Sequence, residues 1–106
     1  MPVSLPHVAI LTVTTNAAGH LGRYFDALEG VTYPNWSLTI VDNASSDGTG
    51  EFLRERFPSV RVVRLSENRG FAGGNNAGVR EARGRYVALL NNDTIPEPIW
   101  LRSLID

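Results

Sequence analysis

The chain has 106 residues, enough for one domain that buries roughly two-thirds of its unfolded surface. Hydrophobic residues make up 42% and charged residues 20%, the balance of an ordinary globular domain. A net charge of -1 argues against a nucleic-acid binder and gives no polybasic membrane anchor, the absence of cysteine excludes disulfides and thiolate metal sites, and no apolar run reaches the roughly 18 residues of a membrane span.

Pro2, Pro6 and His7 interrupt the N-terminal residues, so no signal peptide is expected. Val8 to Val13 is nearly all apolar and β-rich, the pattern of a strand buried on both faces. It runs into Thr14-Thr15-Asn16, where Thr14 and Asn16 suit either a pocket lining or backbone capping. Leu21, Tyr24, Phe25 and Leu28 then recur at helical spacing, with His20 facing solvent and Gly30 as terminator. Tyr33-Pro34-Asn35 is a turn, and Leu38 to Val41 a second strand that ends in Asp42-Asn43. Ser45-Ser46-Asp47-Gly48 offers N-caps, Asp47 among them, for a helix that buries Phe52, Leu53 and Phe57 and stops at Pro58.

Val60 to Leu65 is the third strand, placed toward a sheet edge because Arg61 and Arg64 interrupt it. Arg69 beyond it is an exposed residue by default, with phosphate as the alternative partner. Phe71 to Ala82 is a third helix, ended by Gly84. Its Gly73, Gly74 and Gly78 each cost roughly 1 kcal/mol relative to alanine. Close approach to the sheet or to a ligand would offset that, and Asn68, Asn75 and Asn76 in the same segment tilt the balance toward a ligand. Tyr86 to Leu90 is the fourth strand and delivers Asn91-Asn92-Asp93. Pro96 or Pro98 opens a last helix with Ile99, Trp100, Leu101, Leu104 and Ile105, more apolar surface than one face of a short helix buries. Trp100 and its neighbours read as core before they read as a platform for an acceptor.

Strands alternating with helices imply right-handed crossovers and an α/β fold: a Rossmann-like open parallel sheet of order 3-2-1-4 with flanking helices. A crevice opens where the chain reverses between strands 1 and 4. Thr14 to Asn16, Asp42-Asn43 and Asn91 to Asp93 should therefore be neighbours at the carboxyl rim. The first turn, TTNAAGHLG, lacks the G-x-G-x-x-G that holds a dinucleotide pyrophosphate. A bound diphosphate would need another counter-charge, and Mg²⁺ or Mn²⁺ held by Asp93 is the economical one. Asp42, just beyond strand 2, is placed to meet a ribose hydroxyl or a base edge.

The blocks VAILTVTTN, LTIVDNASSDGT, ENRGFAGGNNAGVREARG and YVALLNNDTIPEP resemble successive blocks of the family 2 glycosyltransferases, in the bacterial branch that includes rhamnosyltransferases. The resemblance runs from about Val8 to Leu104. It implies a nucleotide-diphospho-sugar-binding domain, the N-terminal half of the GT-A fold, spanning residues 1–106 and truncated at its C-terminus. By that resemblance Thr14 and Asn16 line the nucleotide pocket, Asp42 contacts base or ribose, and Asn68, Gly70, Gly74 and Asn75 form the wall over the nucleotide. Asn91-Asn92-Asp93 stands for the Asp-x-Asp metal motif, with Asn92 beside the nucleotide and Asp93 and Asn91 toward a divalent cation. The sequence departs from that motif at its first position, where Asn91 replaces a carboxylate. The resemblance further implies a UDP- or dTDP-type sugar donor, an acceptor saccharide or lipid-linked saccharide, and a cytoplasmic protein, at most peripheral at the inner membrane face. It places the acceptor contacts and the catalytic base C-terminal to these residues. Strand 4 would then be an open edge, and a homodimer of this segment is expected.

Two other classes stay open on the residues alone. One is a non-catalytic nucleotide-binding module. The other is a nucleotidyltransferase-type enzyme, which the missing Gly-rich basic loop after strand 1 disfavours.

Overall fold

A computed structural model describes residues 5–16, 18–56, 60–91 and 96–105. Within them the chain alternates β1 (Val8–Thr14), α1 (Ala18–Glu29), β2 (Trp36–Asn43), α2 (Thr49–Arg56), β3 (Arg61–Leu65), α3 (Gly70–Glu81), β4 (Tyr86–Leu89) and α4 (Trp100–Ile105). The strands form one parallel sheet of order β3-β2-β1-β4, as the alternating pattern requires. The central strand, β1, is buried at every position but Val13, because it is paired on both sides and covered on both faces.

Residues of alternate parity divide the core. On one face Val8, Ile10, Leu38 and Ile40 pack with Leu21, Tyr24, Phe25 and Leu28 of α1, Leu53 of α2 and Leu101 of α4. On the other, Leu11, Val41 and Leu65 lie beneath α3, joined by Val13, Val63 and Ala77. Together they bury nearly every aliphatic side chain of β1 and β2, at roughly 1.5–3 kcal/mol for each large side chain removed from water.

Several boundaries differ from the sequence expectation, each for a local reason. β2 begins at Trp36 and runs through Asn43, because pairing with β1 carries it past its apolar centre. α1 ends without a left-handed Gly30; instead the Gly30 and Val31 amides donate to Ala27 and Leu28 carbonyls at 3.1 and 3.0 Å, tightening the last turn. α3 stops at Ala82, which is extended (φ -69°, ψ 136°), and not at Gly84. Gly84 has a different duty: a Cβ there would come within 2.9 Å of the Ala9 amide nitrogen. α4 starts at Trp100, since the Pro98 carbonyl is taken by the Thr32 amide at 2.8 Å. Ile99 is consequently left in a turn, and it and Leu104 are exposed, whereas Leu101 is buried and Trp100 packs against the core. Phe57 and Pro58 lie outside the described residues.

Two of the α3 glycines, Gly74 and Gly78, are explained by the sheet, whereas a Cβ on Gly73 would meet the Arg69 side chain at 2.7 Å. A Cβ on Gly78 would stand 2.3 Å from Leu11 Cδ1 and 2.8 Å from Val41 Cγ2, and one on Gly74 would stand 2.7 Å from Val13 Cγ1. The helix therefore lies closer to β1 and β2 than any side chain permits, which offsets its poor propensity without invoking a ligand.

Candidate functional site

The polar ends of β1 and β2 meet at one rim. Thr14 pairs in register with Asp42, and both are buried. From there the two loops are stitched together. The Asn16 amide donates to Ser45 Oγ at 2.8 Å, and Asn16 Oδ1 accepts from the Ser46 amide at 2.8 Å. Thr15 Oγ1 adds a longer contact, 3.5 Å, to the Asn43 carbonyl. Asn16 and Ala44 both take left-handed backbone, φ 51° and 61°. Asparagine tolerates that region; alanine is strained in it.

Asp42 and Asn43 point to opposite faces, as neighbours on a strand must. The Asp42 carboxylate turns toward α2. Its Oδ1 accepts the Ser45 amide at 3.0 Å and its Oδ2 accepts Arg64 Nη1 at 3.4 Å, and the side chain has no exposed surface. Asn43 turns toward α3. Its Oδ1 accepts the Arg69 amide at 2.9 Å, and its Nδ2 donates to the Gly70 carbonyl at 3.0 Å. Asn43 thus brackets the peptide linking β3 to α3. There Gly70 takes φ 72°, and Asn68 Oδ1 accepts the Gly70 amide at 2.8 Å. Asp47 is a cap, as its sequence context indicates: its Oδ1 accepts both the amide and the hydroxyl of Thr49 at the start of α2.

The sequence-expected residues thus divide into groups. Thr14, Asn16 and Asp42 gather at the joined ends of β1 and β2, and Asn68 and Gly70 are tied to them through Asn43. Gly74 is buried against the sheet, and Asn75 is half-buried one residue further along α3. Asn91 is exposed two residues beyond β4, after Leu90, whose amide donates to the Leu11 carbonyl at 3.0 Å. Asn92 and Asp93 lie outside the described residues. Among the described residues no group of three His, Cys, Asp or Glu is placed to hold a metal ion. Among them, too, no helix is long and apolar enough to cross a membrane.

Much of the joining is done by residues whose sequence context points to another part or to none: Asn43, named only as a rim neighbour, Ser45 and Ser46, read as N-caps, and Arg64, read as an interruption of its strand. The signal for Asn43 lay in its position one residue after Asp42, at the end of an apolar run. Arg64 gave none, because its pairing depends on the register of β3 against β2, which sets it beside Asp42.

Beneath the rim Thr12 Oγ1 and the Tyr24 hydroxyl form a buried hydrogen bond that ties α1 to β1. Burial pushes the Tyr24 phenol up to about 12, against a smaller opposing pull from that hydrogen bond.

The family model for Glycosyl transferase family 2 matches residues 9–106. The putative teichuronic acid biosynthesis glycosyltransferase TuaG of Bacillus subtilis is 35% identical over 83% of this chain and 36% of its own length. The succinoglycan biosynthesis protein ExoO of Rhizobium meliloti is also 35% identical, over 96% of this chain and 30% of its own. Among solved structures, S. aureus TarS 1-349 in complex with UDP superposes with a TM-score of 0.83 at 18% identity, covering 92% of this chain and 30% of that one. The mannosyltransferase PcManGT from Pyrobaculum calidifontis, in complex with GDP-Man and Mn²⁺, gives 0.78 at 28% identity over 91% and 32%. The chain spans about a third of the length of these relatives.

Proposed function

The chain belongs to glycosyl transferase family 2, and on that premise we propose that it is the donor-binding part of an enzyme that moves a sugar from a nucleotide diphosphate sugar to an acceptor hydroxyl. The observation that carries this reading is the convergence of three loops at the carboxyl rim: Thr14–Asn16 after β1, Asp42–Ser46 after β2 and Asn68–Gly70 before α3. That is where open α/β sheets bind ligands. Relatives of the same fold carry UDP, UDP-GlcNAc or GDP-Man with Mn²⁺.

In this reading Thr14, Asn16, Asn68, Gly70, Asn75 and Asn92 line the nucleotide pocket. Asp42 serves the base or ribose end, and Gly74 sets the height of the wall by letting α3 lie on the sheet. The donor is a UDP- or dTDP-type sugar, in keeping with the resemblance to the rhamnosyltransferase-containing branch. Asp93, helped by Asn91, would hold Mg²⁺ or Mn²⁺, a pairing of hard oxygen ligands with a hard cation. The bound ion would supply Lewis-acid stabilisation of the diphosphate leaving group. The acceptor, a saccharide free or lipid-linked, and the base that deprotonates it belong to the length by which the relatives exceed this chain. The open edge of β4 would pair with a second copy when this segment stands alone.

Calorimetric titration with UDP, with and without Mn²⁺, tests the reading. Binding that tightens with Mn²⁺ is expected. No uptake of UDP at millimolar concentration, with or without the ion, would overturn it.

A further inference from the structure

Arg64 stands on the edge strand β3, yet it reaches into the rim. Its side chain is half exposed, while the Asp42 carboxylate that it meets is wholly buried. The path between them crosses Gly50 in the first turn of α2. A Cβ at Gly50 would lie 2.5 Å from Arg64 Nη1 and 3.2 Å from Asp42 Oδ2. The guanidinium therefore occupies a notch that exists only because residue 50 has no side chain. Arg54 Nη2 stands at the mouth of the same notch, 3.7 Å from where that Cβ would be, so α2 adds positive charge there.

A buried carboxylate must have its oxygens satisfied. Asp42 Oδ1 is held by the Ser45 amide, and Oδ2 by Arg64. Ser45 in turn receives the Asn16 amide on its hydroxyl, and Asn16 receives the Ser46 amide. The bonds form one line from the sheet edge to the β1–α1 loop: Arg64, Asp42, Ser45, Asn16, Ser46. Arg61, three residues earlier on the same strand, gives the contrast. Its partner Glu81 is 3.3 Å away and both side chains are about half exposed, an ordinary surface pair.

We infer that Arg64 is a positioning residue for the nucleotide pocket: seated in the notch over Gly50, it pins Asp42 and through it the clasp between Asn16, Ser45 and Ser46. The inference rests on the donor-binding reading for its consequence, though not for its geometry. In this role Arg64 holds Asp42 and sets the shape of the two loops of the proposed pocket, acting from the β3 side of β2.

Two substitutions break the contact by different routes. Arg64→Met removes the charge and keeps the stem. Gly50→Ala keeps the charge and fills the notch, expelling the flexible end of Arg64. Arg64→Lys restores a cation, and Arg61→Met serves as the control on the same strand. Amide hydrogen exchange on the chain gives the first readout. Arg64→Met and Gly50→Ala are expected to speed exchange at Asn16, Ser45 and Ser46 roughly tenfold more than at Leu38 or Leu101, with most of the protection regained in Arg64→Lys. UDP titration gives the second, with affinity roughly fivefold weaker in the two breaking variants and unchanged in Arg61→Met. Unaltered exchange at the three amides, a uniform rise across the molecule, or a lysine variant no better than methionine would each overturn the inference. A wild-type chain that takes up no UDP would overturn the donor-binding reading alone, since the exchange arm still decides what Arg64 holds.

Discussion

Asn43 and Gly70 are joined across the rim, the side-chain amide of the first donating to the carbonyl of the second at 3.0 Å. The same side chain accepts from the Arg69 amide, so one buried residue at the end of β2 fixes the entry of α3. Asn43→Asp is isosteric but exchanges a donor for an acceptor, setting oxygen against oxygen at Gly70. A stability loss of about 1–3 kcal/mol is expected in urea unfolding, together with weaker UDP binding. Unchanged stability would mean that the bond to Gly70 contributes nothing.

Two glycine substitutions should act in opposite directions. Gly22 in α1 has open space where a Cβ would be, so Gly22→Ala should stabilise by up to about 1 kcal/mol through helix propensity. Gly78→Ala gains the same propensity but drives a methyl into Leu11 and Val41. Overpacking of that kind costs about 1–3 kcal/mol, so the net effect should be destabilising. Thermal unfolding of the two variants side by side gives the sign of each.

Alkaline stability should depend on Tyr24. Its folded pKa of about 12 lies above the ordinary 10.0, so the folded state retains a proton that the unfolded state has released. The contribution is whole below pH 10 and is lost as pH rises toward 12, of order 2 kcal/mol over that window. Tyr24→Phe should flatten this part of the stability curve, at the expense of leaving Thr12 Oγ1 without its partner. A slope unchanged between wild type and variant would remove Tyr24 as its source.

Asp42 and Asp93, proposed for the nucleoside and for the metal, should be separable by ligand. Asp93→Ala is expected to abolish the advantage that Mn²⁺ gives to UDP binding while leaving uridine binding intact. Asp42→Ala should weaken uridine and UDP alike. Identical profiles across the two ligands would merge the roles.

The free edge of β4 bears on association. Tyr86, Val87 and Leu89 are exposed on it, and Val8, Tyr86, Val87, Leu101, Leu104 and Ile105 line a groove of about 290 Å³ between it and α4. Light scattering at high micromolar concentration should report a dimer of this segment. A clean monomer would show that the edge is tolerated unpaired.

The sequence was most legible where periodicity is strong. β1 and α1 followed from a nearly all-apolar run and from Leu21, Tyr24, Phe25 and Leu28, and these four are buried. Strand order followed from alternation, crossover handedness and the usual order of such sheets, the edge position of β3 from Arg61 and Arg64, and that of β4 from the resemblance. What stayed hidden was every fact that depends on register or on the separation of layers. The meeting of Arg64 with Asp42 exists only because those residues fall opposite one another in the β2–β3 ladder. Gly78 looked like a residue making room for a ligand until the depth of α3 on Leu11 was known. Asn43 was overshadowed by the charge of Asp42, although the amide reaches further across the rim.

The order of strands has a consequence for how the molecule is made. β1 pairs with β2 about thirty residues later, but its other side waits for Tyr86 to Leu89, almost eighty residues downstream. During synthesis β1, β2 and β3 have their pairing segments available long before β4 leaves the ribosome. Until then the most apolar strand of the sheet has one naked side. Contacts so distant along the chain are slow to form, and the exposed side of β1 is the place where a nascent chain would misassociate. A chaperone or a ribosome-associated factor that recognises aliphatic extended segments would meet Val8 to Val13 in that interval.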